Sequence, residues 1–204
     1  MKIELPDGSE GHLRLVHSDK TDAAILAKWR TEHFDNFFTR IKPNIEDVLS
    51  WLRNYECDDT DLMFLIEYPP GIPIGQLSLS KIDLNEKSAE FGRMIRGRKA
   101  ALKDIMQIAS MSLVEWAFHT FELKRIHLCV FADNVRALNF YSRIGFRMSE
   151  RRDYRKMLTP EGMERYVDIG KEMNPVDEDQ IRSVLIMTME RNLLHSVEKG
   201  DTKN

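Results

Sequence analysis

Apolar residues recur along this chain with two periods, and the changes from one period to the other predict most of its elements. Leu13 and Leu15 alternate with polar neighbours across residues 12–16, which predicts a half-buried strand. Ala23, Ile25, Leu26 and Trp29 then follow Ser18-Asp19 at helical spacing as far as Arg30, predicting a first capped helix. Asn44 precedes Ile45, Val48, Leu49, Trp51 and Leu52, with Glu46 and Asp47 in the first turn, so a second amphipathic helix starts there. An aromatic-rich loop over residues 33–40 separates the two helices.

Residues 62–68 and 72–79 read as strands joined by Pro69-Pro70-Gly71, a turn-forming triplet, and a third strand over residues 88–95 completes a meander. From Lys103 the period lengthens: Ile105, Ala109, Ser112, Leu113, Trp116, Ala117 and Thr120 mark the longest helix. Ile126, Leu128 and Val130 form another strand. Asn134 caps a short helix carrying Ala137, Phe140, Tyr141 and Ile144 on one face, and Gly145 ends it. Strands are expected over residues 146–156 and 165–173, joined by a loop around Thr159-Pro160-Glu161-Gly162. After Asn174-Pro175, an apolar stripe of Ile181, Val184, Leu185, Met189, Leu193 and Leu194 predicts a final helix over residues 181–195 and a polar tail. That organisation gives one domain over residues 1–174 and a C-terminal helical extension over residues 175–204.

Composition narrows the possible partners. The chain has 204 residues, 30 basic and 33 acidic side chains and a net charge of -3, with no long basic tract, so nucleic acid is not an expected partner. No window of about 18 apolar residues and no leader-like start is present, which implies no membrane span and a cytoplasmic protein. Cys57 and Cys129 are far apart and form no CxxC pair, so both are expected as buried free thiols. The six histidines show neither HxH nor HExxH spacing, and no metal is expected. The apolar stripe of the predicted last helix needs a cover, either the domain itself or a second copy in a homodimer.

The order β-α-α-β-β-β-α-β-α-β-β is an α+β arrangement, a mixed, mostly antiparallel sheet flanked by helices. Three stretches carry a resemblance within it: Ala89-Glu90-Phe91-Gly92-Arg93-Met94-Ile95, the long helix ending Trp116-Ala117-Phe118, and residues 131–146, where Asn134, Ala137, Tyr141 and Gly145-Phe146 stand in an N-x-x-A-x-x-x-Y-x-x-x-G-F arrangement. This resembles the acyl-CoA-binding core of the GNAT N-acetyltransferases. The resemblance implies that acetyl-CoA is the co-substrate and an amine the acceptor, with direct acetyl transfer. It places Met94, Ile95 and Arg96 along the pantetheine arm, with Gly92 as the point where the strand bulges. It places Arg96, Arg98, Lys99 and Lys103, with Leu102, Asp104 and Ile105 at the start of the long helix, around the diphosphate.

The family's loop usually reads R/Q-x-x-G-x-G/A. Here residues 96–104 keep the basic residues and Gly97 but lack the second glycine, which leaves the shape of the cradle open. Asn134 and Ala137 would touch CoA, and Tyr141, two turns beyond Asn134, would face the departing thiolate as general acid. Glu90 is the first candidate for the base, although strand alternation could equally turn it outward; Glu32 and His33 are weaker candidates on the acceptor side. Trp29-Arg30 and Ser50-Trp51-Leu52 resemble members that act on nucleotide-linked amino sugars. A protein N-terminal acetyltransferase, another small-amine acetyltransferase and a non-catalytic CoA-binding module are the alternatives.

Overall fold

The computed structural model describes residues 1–98, 104–160, 163–170 and 181–192, and in it both hydrophobic periods serve a mixed sheet with helices on its two faces. The elements are β1 (Lys2–Glu4), β2 (Glu10–Leu15), α1 (Lys20–Glu32), a 3-10 turn (Phe34–Asn36), β3 (Thr39–Arg40), α2 (Ile45–Tyr55), β4 (Leu62–Glu67), β5 (Pro73–Asp83) and β6 (Ser88–Arg96). They continue with α3 (Ile105–Thr120), β7 (Arg125–Phe131), α4 (Val135–Arg143), β8 (Arg147–Leu158), β9 (Glu164–Asp168) and β10 (Ile181–Glu190). The strand order is β1-β2-β4-β5-β6-β7-β10-β8-β9-β3. Neighbours pair antiparallel, except that β6 and β7 run parallel.

Local chemistry sets the helix starts. Asp19 accepts the amides of Thr21 and Asp22 at the start of α1, and Asn44 and Asp47 form a reciprocal capping box on α2. On one face of the sheet, Leu77, Leu79, Ala89 and Phe91 pack against Ala109, Leu113, Ala117 and Phe118 of α3 and against Tyr141 and Ile144 of α4. On the other, Met63, Leu65 and Ile95 meet Leu26, Trp29, Leu49 and Leu52 of α1 and α2. Each large apolar side chain so buried contributes about 1.5–3 kcal/mol. Arg14 ties the second layer down: its guanidinium donates to Asp22 at 2.8 and 2.9 Å and to Glu67 at 2.7 Å, joining α1 to β2 and β4.

The loop expected over residues 33–40 does more than connect. Phe38 stacks on Phe131 and Tyr154 at ring separations of 4.5 and 5.4 Å, and β3 then pairs with β9 at the far edge of the sheet. The chain between α1 and α2 therefore crosses one face of the sheet as a strap. Among the described residues no helix is long and apolar enough to cross a membrane.

The C-terminal element corrects the sequence reading. Residues 181–190 form a strand, not a helix, lying between β7 and β8 and paired with both. Ile181, Val184, Leu185 and Met189 sit at helical spacing, but the apolar run Val184 to Met187 between polar Arg182-Ser183 and Thr188 fits a short strand as well, since periodicity alone does not separate the two. Val184 is fully buried and Met187 and Met189 nearly so, which places the segment in the core rather than in an extension. Leu193, Leu194 and the polar tail lie outside the described residues, as do residues 171–173 of the strand expected over 165–173. Cys57 is exposed just beyond the end of α2 and Cys129 is half-buried, so the expectation of two buried thiols fails for Cys57.

A chain ended after residue 180 is expected to lose cooperative thermal unfolding, because β7 and β8 then have no strand between them. Circular dichroism melting checks this, and an unchanged melt would return the segment to the status of an appendage. Met187→Ala should cost roughly 2–5 kcal/mol by urea denaturation.

Candidate active site

The only parallel pairing among the described strands is short. β6 and β7 match at Ser88 with Arg125, Ala89 with Ile126 and Glu90 with His127, and beyond that point the two strands part. β6 leaves its partner because its backbone is distorted. Between the pairs Ser78–Gly92 and Gln76–Ile95, two residues of β6, Arg93 and Met94, stand opposite the single residue Leu77, which is a bulge. The left-handed turn falls on Arg93, with φ of 48°, one residue beyond the glycine that the sequence suggested. Two side chains hold it there: Asp61 grips the Arg93 guanidinium at 2.5 and 2.6 Å, and Gln76 donates its amide to the Arg93 carbonyl at 3.0 Å. A non-glycine residue in this conformation costs roughly 1–3 kcal/mol, so these contacts are what keep the notch open.

A cavity of about 570 Å³ opens beside that notch. Met94, Ile95 and Arg96 of β6 form one wall, and Gly97, Arg98, Asp104, Ile105, Met106 and Gln107 form its end. Asn134, Arg136, Ala137, Phe140, Tyr141 and Arg143 from the start and length of α4 form the facing wall, and His33, Asn36 and Phe37 of the strap close the rim. Ten residues marked in the sequence thus come together: His33, Met94, Ile95, Arg96, Arg98, Asp104, Ile105, Asn134, Ala137 and Tyr141. Lys99, Leu102 and Lys103 lie outside the described residues. Arg136 and Arg143 were not marked, although their seven-residue spacing repeats that of Asn134 and Tyr141 and puts them on one stripe of α4.

The cavity is built for an anion at one end. No ion pair engages Arg96, Arg98, Arg136 or Arg143 among the described residues. Side chains cap α1, α2 and α4, but among the described residues none caps α3, whose first residue lines the cavity and whose preceding residue, Asp104, is left-handed at φ of 65°. Positive helix-end dipole and unpaired guanidinium groups together favour phosphate. The approach to α3 is fixed by packing. Gly97 and Arg98 both donate their amides to the Ile74 carbonyl at 2.9 Å, and Gly97 lies against the Trp29 indole so closely that a Cβ there would sit 1.9 Å from a ring carbon. That contact explains a glycine at 97 without any second glycine in the loop.

Tyr141 lines the same cavity from α4. Its ring is buried edge-on among Phe91, Phe140 and Phe146, and its hydroxyl makes no hydrogen bond to the described residues. Burial pushes its pKa up to about 12, so the phenol is protonated across the neutral range. Glu90 does not line the cavity. Ala89 and Phe91 point into the α3 layer, so alternation turns Glu90 to the opposite face, where Lys81 donates to it at 2.6 Å and His127 lies 3.8 Å away. Burial holds the His127 imidazole below its ordinary pKa, against the pull of Glu90. Cys129 is also an unreactive thiol, its pKa raised by burial to about 11. Among the described residues no three His, Cys, Asp or Glu side chains are grouped to hold a metal.

A notch between two parallel strands, beside a cavity lined by unpaired arginines, a helix N-terminus and a buried phenol, can be compared with known proteins. The family model described as "Acetyltransferase (GNAT) domain" matches residues 12–147, from β2 to the start of β8. The chain belongs to the GNAT acetyltransferases. It is an acyltransferase and uses acetyl-CoA as the acetyl donor. Among its relatives, an acetyltransferase PseH of Campylobacter jejuni is 28% identical over 123 residues, 60% of this chain and 74% of that one. A spermidine N(1)-acetyltransferase of Vibrio cholerae is 26% identical over 137 residues, 67% of this chain and 73% of the relative. The solved Vibrio cholerae spermidine N-acetyltransferase in complex with CoA and spermine superposes with a TM-score of 0.69 at 16% identity, covering 91% of this chain and 98% of that one. That agreement extends the shared fold beyond the family match, to nearly the whole chain.

Gly97→Ala in this acetyltransferase is expected to displace either Trp29 or the loop and to cost roughly 1–3 kcal/mol, the range for overpacking. Urea denaturation measures the loss, and acetyl-CoA affinity by calorimetry should fall with it. An alanine variant as stable and as tight-binding as the parent would show that the loop is not fixed by the indole.

Proposed function

We propose that the cavity beside the notch binds acetyl-CoA and that the enzyme passes the acetyl group directly to the amine of a small acceptor, an amino sugar either free or nucleotide-linked. One observation carries this reading: the same cavity is lined by four guanidinium groups without ion pairs among the described residues, by the first residue of α3 and by a protonated phenol on α4. Arg96, Arg98, Arg136 and Arg143 would neutralise the diphosphate, together with the amides around Asp104 and Ile105 and, outside the described residues, Lys99, Leu102 and Lys103. Backbone groups of Met94, Ile95 and Arg96, freed from β7 by the bulge, would pair with the pantetheine amides. Asn134, whose side chain accepts the Ala137 amide at 3.1 Å, fixes the start of α4 and so aims Tyr141.

The raised pKa limits what Tyr141 does. A phenol near pKa 12 is a weaker acid than a thiol near 8.5, and full proton transfer to a free thiolate would be uphill by roughly 5 kcal/mol. Tyr141 is therefore assigned a hydrogen bond that strengthens as charge develops on sulfur, with the proton shed by the amine completing the transfer. Glu90, next to His127 at the last paired position before the notch, is the proposed acceptor-side base, but since it lines neither cavity and is paired with Lys81 it would take the amine proton through an intervening water. Amino-sugar specificity draws support from the resemblance of Trp29-Arg30 and Ser50-Trp51-Leu52 to members that act on nucleotide-linked amino sugars. A polyamine acceptor is the second reading, supported by the Vibrio cholerae spermidine enzymes. Self-association belongs to the proposal as well: β8 exposes Met148 and Leu158, and a Vibrio cholerae relative has been solved as a dodecamer.

Acetyl-CoA at a hundredfold excess over its dissociation constant should stabilise the enzyme by about 2.7 kcal/mol, visible as a rise in melting temperature. CoA release with a panel of amino sugars and polyamines, read with a thiol reagent, tests the transfer; absence of both effects would overturn the reading. Tyr141→Phe should bind acetyl-CoA normally and turn over roughly 10²-fold more slowly. Because the phenol's pKa is raised, its donor is present at every pH below about 12, and the wild-type rate should show no decline assignable to it between pH 7 and pH 10. Cys57→Ala and Cys129→Ala should retain turnover within a few-fold, since direct transfer uses neither thiol.

A further inference from the structure

On the face of the sheet that carries α1 and α2 there is a second cavity, of about 320 Å³. Its walls are Arg30 of α1, Trp51 of α2, Gln76 of β5 and Arg93 at the bulge, with Thr39 of the strap and Asp47 at the edge. It is not a leftover gap between helices. Gln76 is 6% exposed; its amide nitrogen serves the Arg93 carbonyl, and its carbonyl oxygen Oε1 is buried with no hydrogen-bond partner among the described residues. A buried acceptor of this kind is rare unless a ligand or water completes it.

Arg30 is equally unfinished. Its guanidinium stacks 3.5 Å above the Phe37 ring and donates once, to the Thr39 carbonyl at 2.6 Å. Among the described residues no carboxylate forms an ion pair with it, whereas Arg93 beside it is saturated by Asp61. Burial, and then the neighbouring Arg93, hold the Arg30 pKa down to about 10, so the cation lacks compensation where it sits. The other carboxylate in reach, Asp47, is spent on the Asn44 amide in the α2 capping box. A cation withdrawn from water without a counter-charge is costly to a fold, and a fork of guanidinium donors fits an oxyanion.

The two cavities share a wall. Phe37 lines the acetyl-CoA cavity and carries Arg30 on its other side, and the consecutive residues Arg93 and Met94 line the second cavity and the first. We infer that the second cavity anchors the acceptor, and that the acceptor carries an oxyanion, a phosphate ester or a carboxylate, received by Arg30 while Gln76 Oε1 accepts a hydroxyl or amide proton. This rests on the acetyl-transfer reading above and narrows it: an anionic amino sugar is selected and a polycation is repelled.

Glucosamine, glucosamine 6-phosphate, muramic acid, a UDP-linked amino sugar and spermidine, compared by kcat/KM for CoA release, read the preference directly. Anionic acceptors are expected to exceed glucosamine at least tenfold, with spermidine the poorest. The phosphate and carboxylate arms then tell which oxyanion is used, and the UDP-linked arm whether it belongs to a nucleotide. Arg30→Gln should collapse the anionic-to-neutral ratio to near unity, and Arg30→Lys should restore part of it. Melting of the CoA-saturated protein gives a readout apart from turnover. Added glucosamine 6-phosphate should raise it further, and Arg30→Gln should lose that increment while keeping the increment due to CoA, which also shows that the variant is folded. Equal use of neutral and anionic amines, or a preference for spermidine that Arg30→Gln improves, would overturn the inference while leaving acetyl transfer standing. Failure of every amine to release CoA would instead sink the reading on which it rests.

Discussion

Everything distinctive in this molecule depends on a parallel strand pair that stops after three residue pairs. If β6 continued beside β7, their backbone groups would satisfy each other and no notch would exist. The bulge at Arg93–Met94 prevents it, and the bulge in turn depends on an Asp61–Arg93 ion pair and one Gln76 hydrogen bond. Free backbone groups on the β6 edge are expensive in a protein interior and become useful only when a ligand with its own amides completes them. The pantetheine arm of acetyl-CoA has that chemistry.

The two layers of helices divide the work around the notch. For the proposed donor, α4 supplies two arginines and the phenol, α3 the helix-end dipole, and the end of β6 with its following loop the other two arginines, while α1, α2 and the strap between them supply the walls of the proposed acceptor side. Trp29 and Arg30, neighbours in sequence, serve both layers. The Trp29 indole fixes the loop that approaches α3, and the Arg30 guanidinium stacks on Phe37 at the wall between the two cavities. A shift in α1 would therefore be felt at both sites. The Arg14 bridge to Asp22 and Glu67 opposes such a shift, since removing one member of a buried ion pair costs about 3–5 kcal/mol.

Much of this was legible in the sequence because periodicity and caps are local. Asp19, Asn44 and Asn134 announced their helices, and the spacing from Asn134 to Tyr141 placed the phenol on the cavity side of α4. Three features were not legible, each for a physical reason. The last strand is apolar on both faces only from Val184 to Met187, so its pattern fits a helix as well as a strand until its neighbours are known. The bulge sits on an arginine because Asp61 and Gln76, distant in sequence, hold it there, and a local reading could only point to the adjacent glycine. Glu90 has the strand position of a base, but only the identity of the buried layer decides which face it takes. Ala89 and Phe91 claim the α3 side.

Several departures from local rules fall where the proposed ligands go. Arg93 is left-handed without being glycine, α3 alone of the four helices described has no side-chain cap, Gln76 keeps a buried oxygen without a partner, and several arginines stand without ion pairs. Scattered through a core, such defects would be unrelated costs of about 1–3 kcal/mol each. Lys81, Lys87 and Glu122 are also left-handed, and Arg40 Nε and Ser78 Oγ also lack partners among the described residues, all away from the linings of the two cavities. What sets the cavity features apart is that each offers a group a ligand could complete: unpaired guanidinium groups and a helix start on the proposed donor side, Arg30 and the Gln76 oxygen on the proposed acceptor side.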